Sequence, residues 1–284
     1  MSDGEDNTRS PLGHTQASDD PQGQINDYFD STASYWDGVY RGQDLQGLIY
    51  QRRQEAVLAY VDAVALSSGA TVLEIGCGAG RLTTRLAERR LRVDAVDASD
   101  AMVEATRERV REGGIGEEVV VSKADVHALP FATDHFELVV AVGVIPWLHA
   151  PAQAIAEMAR VLRPGGHLVV TADNRARLTS FTDPRRIVAV APLKRAYRVL
   201  RGRESASMSQ LHTPRGIDRM LEHAGLVPTA RRTVGFGPFS LLGRSVLEGS
   251  AGIRINDLLQ ARADRGVPGL RWTGWHYLVC AAKP

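Results

Sequence analysis

Glu74, Gly76, Gly78 and Gly80 fall within one short string, Thr71–Gly80, T-V-L-E-I-G-C-G-A-G. Glycines at alternate positions let the backbone take positive φ, and they let a ligand approach where a Cβ would collide. Val72, Leu73 and Ile75 ahead of them read as a short buried strand. Arg81–Arg90 behind them, with Leu82, Leu86 and Ala87 on one side, reads as a helix. A strand that turns through glycines into a helix presents unpaired N–H groups to a polar ligand, which is the chemistry of a nucleotide-binding turn. Asp97 ends the next strand in V-D-A-V-D-A-S, 23 residues after Glu74. An acid at about that spacing can reach a ribose diol, because a carboxylate accepts from two vicinal hydroxyls at once.

The glycine spacing narrows the ligand. A dinucleotide turn reads G-x-G-x-x-G; here the pattern is G-x-G-x-G and Arg81 occupies the sixth place. An acid inside the strand just before the first glycine is also foreign to the dinucleotide motif. E-I-G-C-G-A-G resembles motif I of the class I S-adenosylmethionine (SAM) methyltransferases. Asp125, in S-K-A-D-V-H-A-L-P-F followed by D-H-F-E-L-V-V, resembles the loop with which that family recognises adenine. The resemblance implies that Asp125 accepts from the exocyclic amine, that Val126 offers its backbone N–H to the ring, and that Leu129, Pro130 and Phe131 shape the wall. Val140–Val144 then ends the strand where the family's cofactor meets its substrate. Leu162-Arg163-Pro164-Gly165-Gly166 is similar to the L-x-P-G-G turn of the small-molecule branch, which includes quinone-biosynthesis methyltransferases. The resemblance covers Thr71–Thr171 well and the insertions hardly at all. It makes Glu74, Gly76, Cys77, Gly78, Gly80, Asp97, Ala98, Asp125, Val126 and Val142 the expected cofactor-binding residues, with SAM as cofactor and no metal.

These residues need a scaffold. Strands are expected at Thr71–Ile75, Leu91–Val96, Val119–Val121, Phe136–Val142, His167–Thr171, Leu226–Thr233 and Tyr277–Ala281, with helices between most of them. Ser99 or Asp100 can cap one helix, and Thr213-Pro214 opens another. Alternating strands and helices give a parallel sheet covered on both faces. The fold class expected is α/β, a Rossmann-like doubly wound sheet, mostly parallel with a terminal antiparallel strand. Residues 1–22, polar and acidic, read as a disordered tail. Residues 23–284 read as the SAM-dependent methyltransferase domain, with N-terminal helices and two insertions, about 175–212 and 235–270, forming a substrate cap.

Composition excludes other classes. Hydrophobic residues make up 44% and charged residues 24%, ordinary for a globular chain. The net charge of +1 and the lack of an Asn-Pro-Pro-Tyr-type string argue against a nucleic-acid methyltransferase or general nucleic-acid binder. Two cysteines, Cys77 and Cys280, form neither a disulfide framework nor a zinc site, so a reduced, cytoplasmic setting is expected. No membrane span or signal peptide is expected.

The acceptor side is less determined. Relatives often carry Glu-His or His-Trp after the fourth strand, where this chain has Pro146-Trp147. Neither can take a proton, so His149 is the candidate catalytic base, with His127 as a second. Tyr28, Tyr35 and Trp36 on an aromatic N-terminal helix, together with Trp147, are candidate substrate contacts, and their ring faces also suit a sulfonium cation. Residues 185–203 are basic and interleaved with apolar side chains. Such a stretch can rest peripherally on an anionic membrane, bind an anionic substrate, or simply present a solvated basic face. The apolar string G-F-G-P-F-S-L-L-G-R-S-V-L suits the lining of a greasy pocket. Together these point to a small, partly hydrophobic or lipid-linked acceptor methylated at oxygen, then carbon or nitrogen. The alternatives are a catalytically silent SAM-binding regulator or assembly protein, and a nicotinamide-dependent oxidoreductase. The oligomeric state is not legible.

Overall fold

The computed structural model describes residues 21–182, 209–241, 244–247 and 249–284. Two helices, α1 (Pro21–Val39) and α2 (Leu45–Val64), precede the sheet. The alternation follows: β1 (Thr71–Ile75), α3 (Arg81–Ala87), β2 (Arg92–Asp97), α4 (Asp100–Gly113), β3 (Val119–Lys123), β4 (Phe136–Ala141), α5 (Pro151–Val161) and β5 (Leu162–Asp173). A single helical turn, α6 (Thr179–Thr182), then α7 (Pro214–His223) and β6 (Val227–Val234) come next. A short hairpin of β7 (Phe239–Leu241) and β8 (Arg244–Leu247), a helix α8 (Gly249–Asp264) and a last strand β9 (His276–Ala282) complete the chain.

Seven strands form one sheet in the order β3-β2-β1-β4-β5-β9-β6. β1 through β5 pair in parallel, and β9 lies antiparallel between β5 and β6. The order reverses beside β1, so the carboxyl ends of β1 and β4 open a crevice where ligands bind in such sheets. β1 and β4 are apolar on both faces because helices cover both sides: Leu73, Val139 and Phe136 pack toward α5 residues such as Ile155 and Met158, while Val72, Leu138 and Val140 pack toward Val57 of α2 and Leu86 of α3. This doubly wound sheet, mostly parallel with one antiparallel strand, is the architecture expected from the sequence.

Local differences have physical causes. Helix α1 begins at Pro21, so the last two residues of the expected tail, 21 and 22, are helical. Arg163-Pro164-Gly165-Gly166 does not end before a strand but lies inside β5. Phe136 pairs with Leu162 and Leu138 already pairs with His167, so the turn becomes a wide bulge. Gly165 there has φ +78°, and a Cβ on Gly166 would come within 3.0 Å of the Glu137 carbonyl oxygen. Ser99, not Asp100, caps α4, its hydroxyl accepting from the Met102 N–H at 3.2 Å. Thr213 caps α7 as expected.

The second expected cap lies elsewhere. Helix α8 packs on α2 and β6: Asp257 pairs with Arg52, and Asn256 and Gln260 accept from the backbone N–H groups of Phe236 and Gly235. No described residue of 235–270 lines the crevice. Much of the first expected cap, including the basic stretch 185–203, lies outside the described residues.

Candidate cofactor site

One cavity runs along the carboxyl ends of β1, β2, β4 and β5, roofed by α1 and closed at one side by α2. The three glycines of the turn beside it differ in what a side chain would meet. Gly76 has φ +70°, and a Cβ there would lie 2.4 Å from Val144 Cγ2. Gly80 has φ +74°, and its Cβ would press on Thr106 at 3.1 Å. Gly78 has φ +55° and nothing within 4 Å of its missing Cβ, so its open side is cavity. Gly76 and Gly80 shape the turn, and Gly78 leaves room for a ligand. Gly80, expected to touch the cofactor, is not part of the cavity wall; it serves as the left-handed N-cap of α3.

Glu74 is buried, 2% exposed, and its Oε2 accepts from Thr83 Oγ1 at 2.6 Å. Burial pushes its carboxyl up to about 8, so at neutral pH Glu74 is largely neutral before any cation arrives. Asp97 accepts from the Gly78 N–H and the Ser99 N–H, each at 3.0 Å. Burial raises its carboxyl, and those two N–H groups oppose the shift. Because Ser99 takes the helix cap, Asp97 is free to face the cavity, and each of its oxygens keeps a second lone pair. Cys77 is buried against Thr106, and burial pushes its thiol well up, so it acts as an inert wall.

Asp125 stands at the far end. Although burial pushes its carboxyl up, the His127 N–H at 2.9 Å and the His127 Nδ1 at 2.7 Å hold it below the usual carboxylate range. Both bonds go to Oδ1, which leaves Oδ2 for a ligand amine. Val126, Ala98 and Val142 complete this part of the wall. Every expected cofactor residue except Gly80 therefore lines one cavity.

The acceptor-side expectations divide. Trp36 and Trp147 line the cavity. Tyr28 does not, but stacks on Trp147 with centroids 5.8 Å apart. Tyr35 is 57% exposed on the outer face of α1, away from the cavity. His149, the candidate base, is also outside it: the residue is exposed, its Nδ1 meets Gln22 Oε1 at 3.0 Å, and its ring packs on His127 at 4.1 Å. The short helical turn Ile145–Trp147 turns the chain so that Trp147 faces inward and His149 outward. His127 keeps Nδ1 on Asp125 and is not a cavity wall.

Two residues that the sequence reading passed over do face the cavity. Arg53 is 4% exposed, lies flat against Gly143, donates from Nη2 to the Tyr40 hydroxyl at 2.6 Å and stacks on the Tyr50 ring at 4.6 Å. Its Nε is buried without a partner, and it makes no ion pair among the described residues. Asp173, at the end of β5, is held by His276 Nδ1 at 3.0 Å. Each had a signal: Arg53 falls on the Ile49–Val57 stripe of α2, and Asp173 is a strand-end acid like Asp97.

The lid is tied down by charge. Asp37 of α1 accepts from Arg81 Nε at 2.9 Å and Arg109 Nη2 at 3.1 Å, and Arg109 also donates to the Ala79 carbonyl inside the glycine turn. Asp30 accepts from Ser99 Oγ at 2.5 Å and the Ala101 N–H at 3.1 Å. No cluster of His, Cys, Asp or Glu among the described residues could hold a metal ion, and no described helix is long and apolar enough to cross a membrane.

Comparison with known proteins agrees with this geometry. Residues 73–170 match the methyltransferase domain family. Over 160 residues the chain is 31% identical to the methyltransferase GfsG of Streptomyces halstedii, covering 52% of this chain and 56% of that one. It is 28% identical over 186 residues to the ubiquinone/menaquinone biosynthesis C-methyltransferase UbiE of Photorhabdus laumondii, covering 64% and 67%. Each alignment thus spans only part of the relative. The magnesium protoporphyrin IX methyltransferase of Synechocystis, solved with bound S-adenosylhomocysteine, shares the fold with a TM-score of 0.64 at 17% identity, over 93% of this chain and all of that one. The matched residues run from within β1 to within β5, the part of the sheet that carries the glycine turn, Asp97 and Asp125, so residues 73–170 form a methyltransferase domain, in a chain that shares its fold with a methyltransferase solved with bound S-adenosylhomocysteine.

Proposed function

We propose that this chain transfers a methyl group from SAM to a small, partly hydrophobic acceptor. The observation that carries the reading is the convergence of Gly78, Asp97, Asp125 and Arg53 on one cavity. Their chemistries match the parts of SAM. Asp97 suits the ribose diol and Asp125 the adenine amine. Arg53, a buried cation with no carboxylate in direct contact among the described residues, suits the methionine carboxylate, since an unpaired buried charge is costly until a counter-ion joins it. Trp36 Nε1, buried and without a partner among the described residues, is a second donor on the cavity wall. Glu74 is positioned to become ionised beside the cofactor's cationic groups.

When bound, SAM supplies an activated methyl on sulfonium, so the protein's own tasks are to bind, orient and exclude water. Gly78 admits the ligand to the turn. Asp97, Asp125 and Arg53 fix it at three points. Helix α1, held by Asp37 and Asp30, roofs the cavity and keeps water out. The apolar walls given by Phe29, Trp36, Tyr50 and Trp147 favour an acceptor with aromatic or aliphatic surface. Oxygen is the acceptor atom we favour. The similarity to a C-methyltransferase keeps carbon as the second choice.

Calorimetric titration with SAM, using NAD as control, tests this reading. Micromolar SAM binding, weakened at least tenfold by Asp97→Asn in a protein of unchanged fold, is the expected result. Well-folded protein that ignores SAM would refute it.

A further inference from the structure

Among the described residues, Asp173 is the one carboxylate of the cavity wall that the cofactor reading leaves unused and that no lysine or arginine pairs directly. It stands at the end of β5, two residues beyond Thr171, and strand residues two apart share a face. Thr171 Oγ1 accepts from the Gly143 N–H at 2.8 Å, at the strand end against which Arg53 lies. Asp173 thus sits beyond the binding wall formed by the end of β4, further out along the same face.

Its cross-strand partner in β9 is His276, which explains why the two side chains meet. His276 is fully buried and burial lowers its basicity, so the neutral ring donates Nδ1–H to Asp173 Oδ1. Burial pushes the Asp173 carboxyl up, but His276 and the nearby Arg53 and Arg177 outweigh it and keep the group ionised. Oδ2 has no hydrogen-bond partner among the described residues. An ionised carboxylate only accepts hydrogen bonds, so the group that belongs at Oδ2 is a donor. The ring that flanks Asp173 on α2, Tyr50, and its neighbours Tyr40 and Trp36 form an aromatic wall, with Tyr50 at 5.6 Å from Tyr40 and 6.2 Å from Trp36.

We propose that Asp173, oriented by His276, is the binding group for the methyl acceptor, and that the acceptor is a flat, aromatic molecule presenting a neutral hydroxyl to Oδ2. This rests on the methyl-transfer reading and adds to it the class of acceptor. An acceptor carrying its own carboxylate at this position would be repelled by Asp173, and a hydroxyl-free arene would leave Oδ2 without a partner.

The test uses phenol and anisole as probes of the same shape, only one of which donates. Each is titrated into the isotope-labelled full chain, with saturating S-adenosylhomocysteine and without it, while the amide signals of Gly143, Asp173 and Asn174 are followed. Phenol binding about tenfold tighter than anisole is expected, with the preference lost in Asp173→Leu and reduced in Asp173→Asn. S-adenosylhomocysteine affinity should stay within about twofold in both variants. Equal binding of the two probes, no binding of either, or a phenol preference that survives in the variants overturns the proposal. Loss of S-adenosylhomocysteine affinity in Asp173→Asn also overturns it, because Asp173 would then serve the cofactor. A folded wild type that binds no S-adenosylhomocysteine refutes the methyl-transfer reading instead, and the titration without it still decides the role of Asp173. Should Asp173→Leu not fold, Asp173→Asn carries the comparison.

Discussion

Thr83 Oγ1 donates a 2.6 Å hydrogen bond to Glu74 Oε2, joining the strand before the glycine turn to the helix after it. The bond satisfies one carboxyl oxygen in a site with 2% exposure for Glu74 and none for Thr83. It does not offset the burial, and the carboxyl is pushed up to about 8. Linkage then fixes the pH behaviour. The folded state holds the Glu74 proton where the unfolded chain, with an ordinary carboxyl near 4.5, has lost it. The stability tied to that proton is complete below about pH 4.5 and is lost as pH rises toward 8, at a slope of up to about 1.4 kcal/mol per pH unit. Glu74→Gln, which can still accept from Thr83, should flatten that decline and be the more stable protein at pH 8.5. Melting curves from pH 5 to 9 check this, and a stability difference independent of pH would show that Glu74 does not titrate there. The same argument predicts that SAM binding near pH 7.5 releases protons, measurable by calorimetry in buffers of different ionisation enthalpy.

Gly76 and Gly78 should fail in different ways. Both have positive φ, which costs an alanine about 1 kcal/mol or more. Gly76→Ala adds a methyl 2.4 Å from Val144 Cγ2, so it should lower stability by about 3 kcal/mol in all. Gly78→Ala meets nothing within 4 Å and should cost only about 1 kcal/mol, yet its methyl enters the cavity and should weaken SAM binding more than tenfold. Denaturation and calorimetry on the same two variants separate the effects. A Gly78→Ala protein with wild-type affinity would mean that the open side of Gly78 is not where the cofactor lies.

The Asp37 latch predicts a kinetic effect. Arg81 and Arg109 both hold its carboxylate, at 2.9 and 3.1 Å, with all three side chains less than a third exposed. Although burial pushes the Asp37 carboxyl up, the two guanidiniums bring it below the usual range. The pairs are partly screened, so their contribution is modest, about 1 kcal/mol. Asp37→Asn should therefore release S-adenosylhomocysteine roughly fivefold faster in stopped-flow measurements, and raising the salt should speed release from the wild type more than from the variant. Equal release rates would separate the lid from cofactor retention.

What the sequence revealed and what it hid follow from range. Glu74, the glycines, Asp97 and Asp125 were legible because a strand end, a turn and the helix behind it are local chemistry. The same rule that picked Asp97, an acid closing an apolar strand, applies equally to Asp173 in L-V-V-T-A-D. Arg53 was concealed by its neighbour: Q-R-R-Q looks like a solvated face, but helical phase puts Arg53 between Ile49 and Val57, four residues from each, while Arg52 turns outward to Asp257. The placement of 235–270 could not be read, because its apolar string is equally suited to lining a pocket or to packing on α2, and only tertiary contacts choose. Tyr35 shows the same limit on a smaller scale. One residue's shift in helical phase puts Trp36 in the cavity and Tyr35 in solvent.

His149 provides the last test. A base must come within hydrogen-bond reach of the proton it takes. His149 is exposed, its ring rests on His127 at 4.1 Å, and its Nδ1 is engaged with Gln22 in the first turn of α1. The Ile145–Trp147 turn separates it from the cavity that Trp147 enters. His149→Ala should therefore leave kcat within about threefold of wild type, on whichever acceptor is turned over, and leave its pH profile unshifted. Its measurable effect should fall on the lid, because the contact with Gln22 at the start of α1 is lost. Faster hydrogen exchange confined to the first turns of α1 is the expected signature. A drop in kcat of a hundredfold or more with unchanged exchange would instead return His149 to the reaction, and would require the loop after Trp147 to turn inward when acceptor binds.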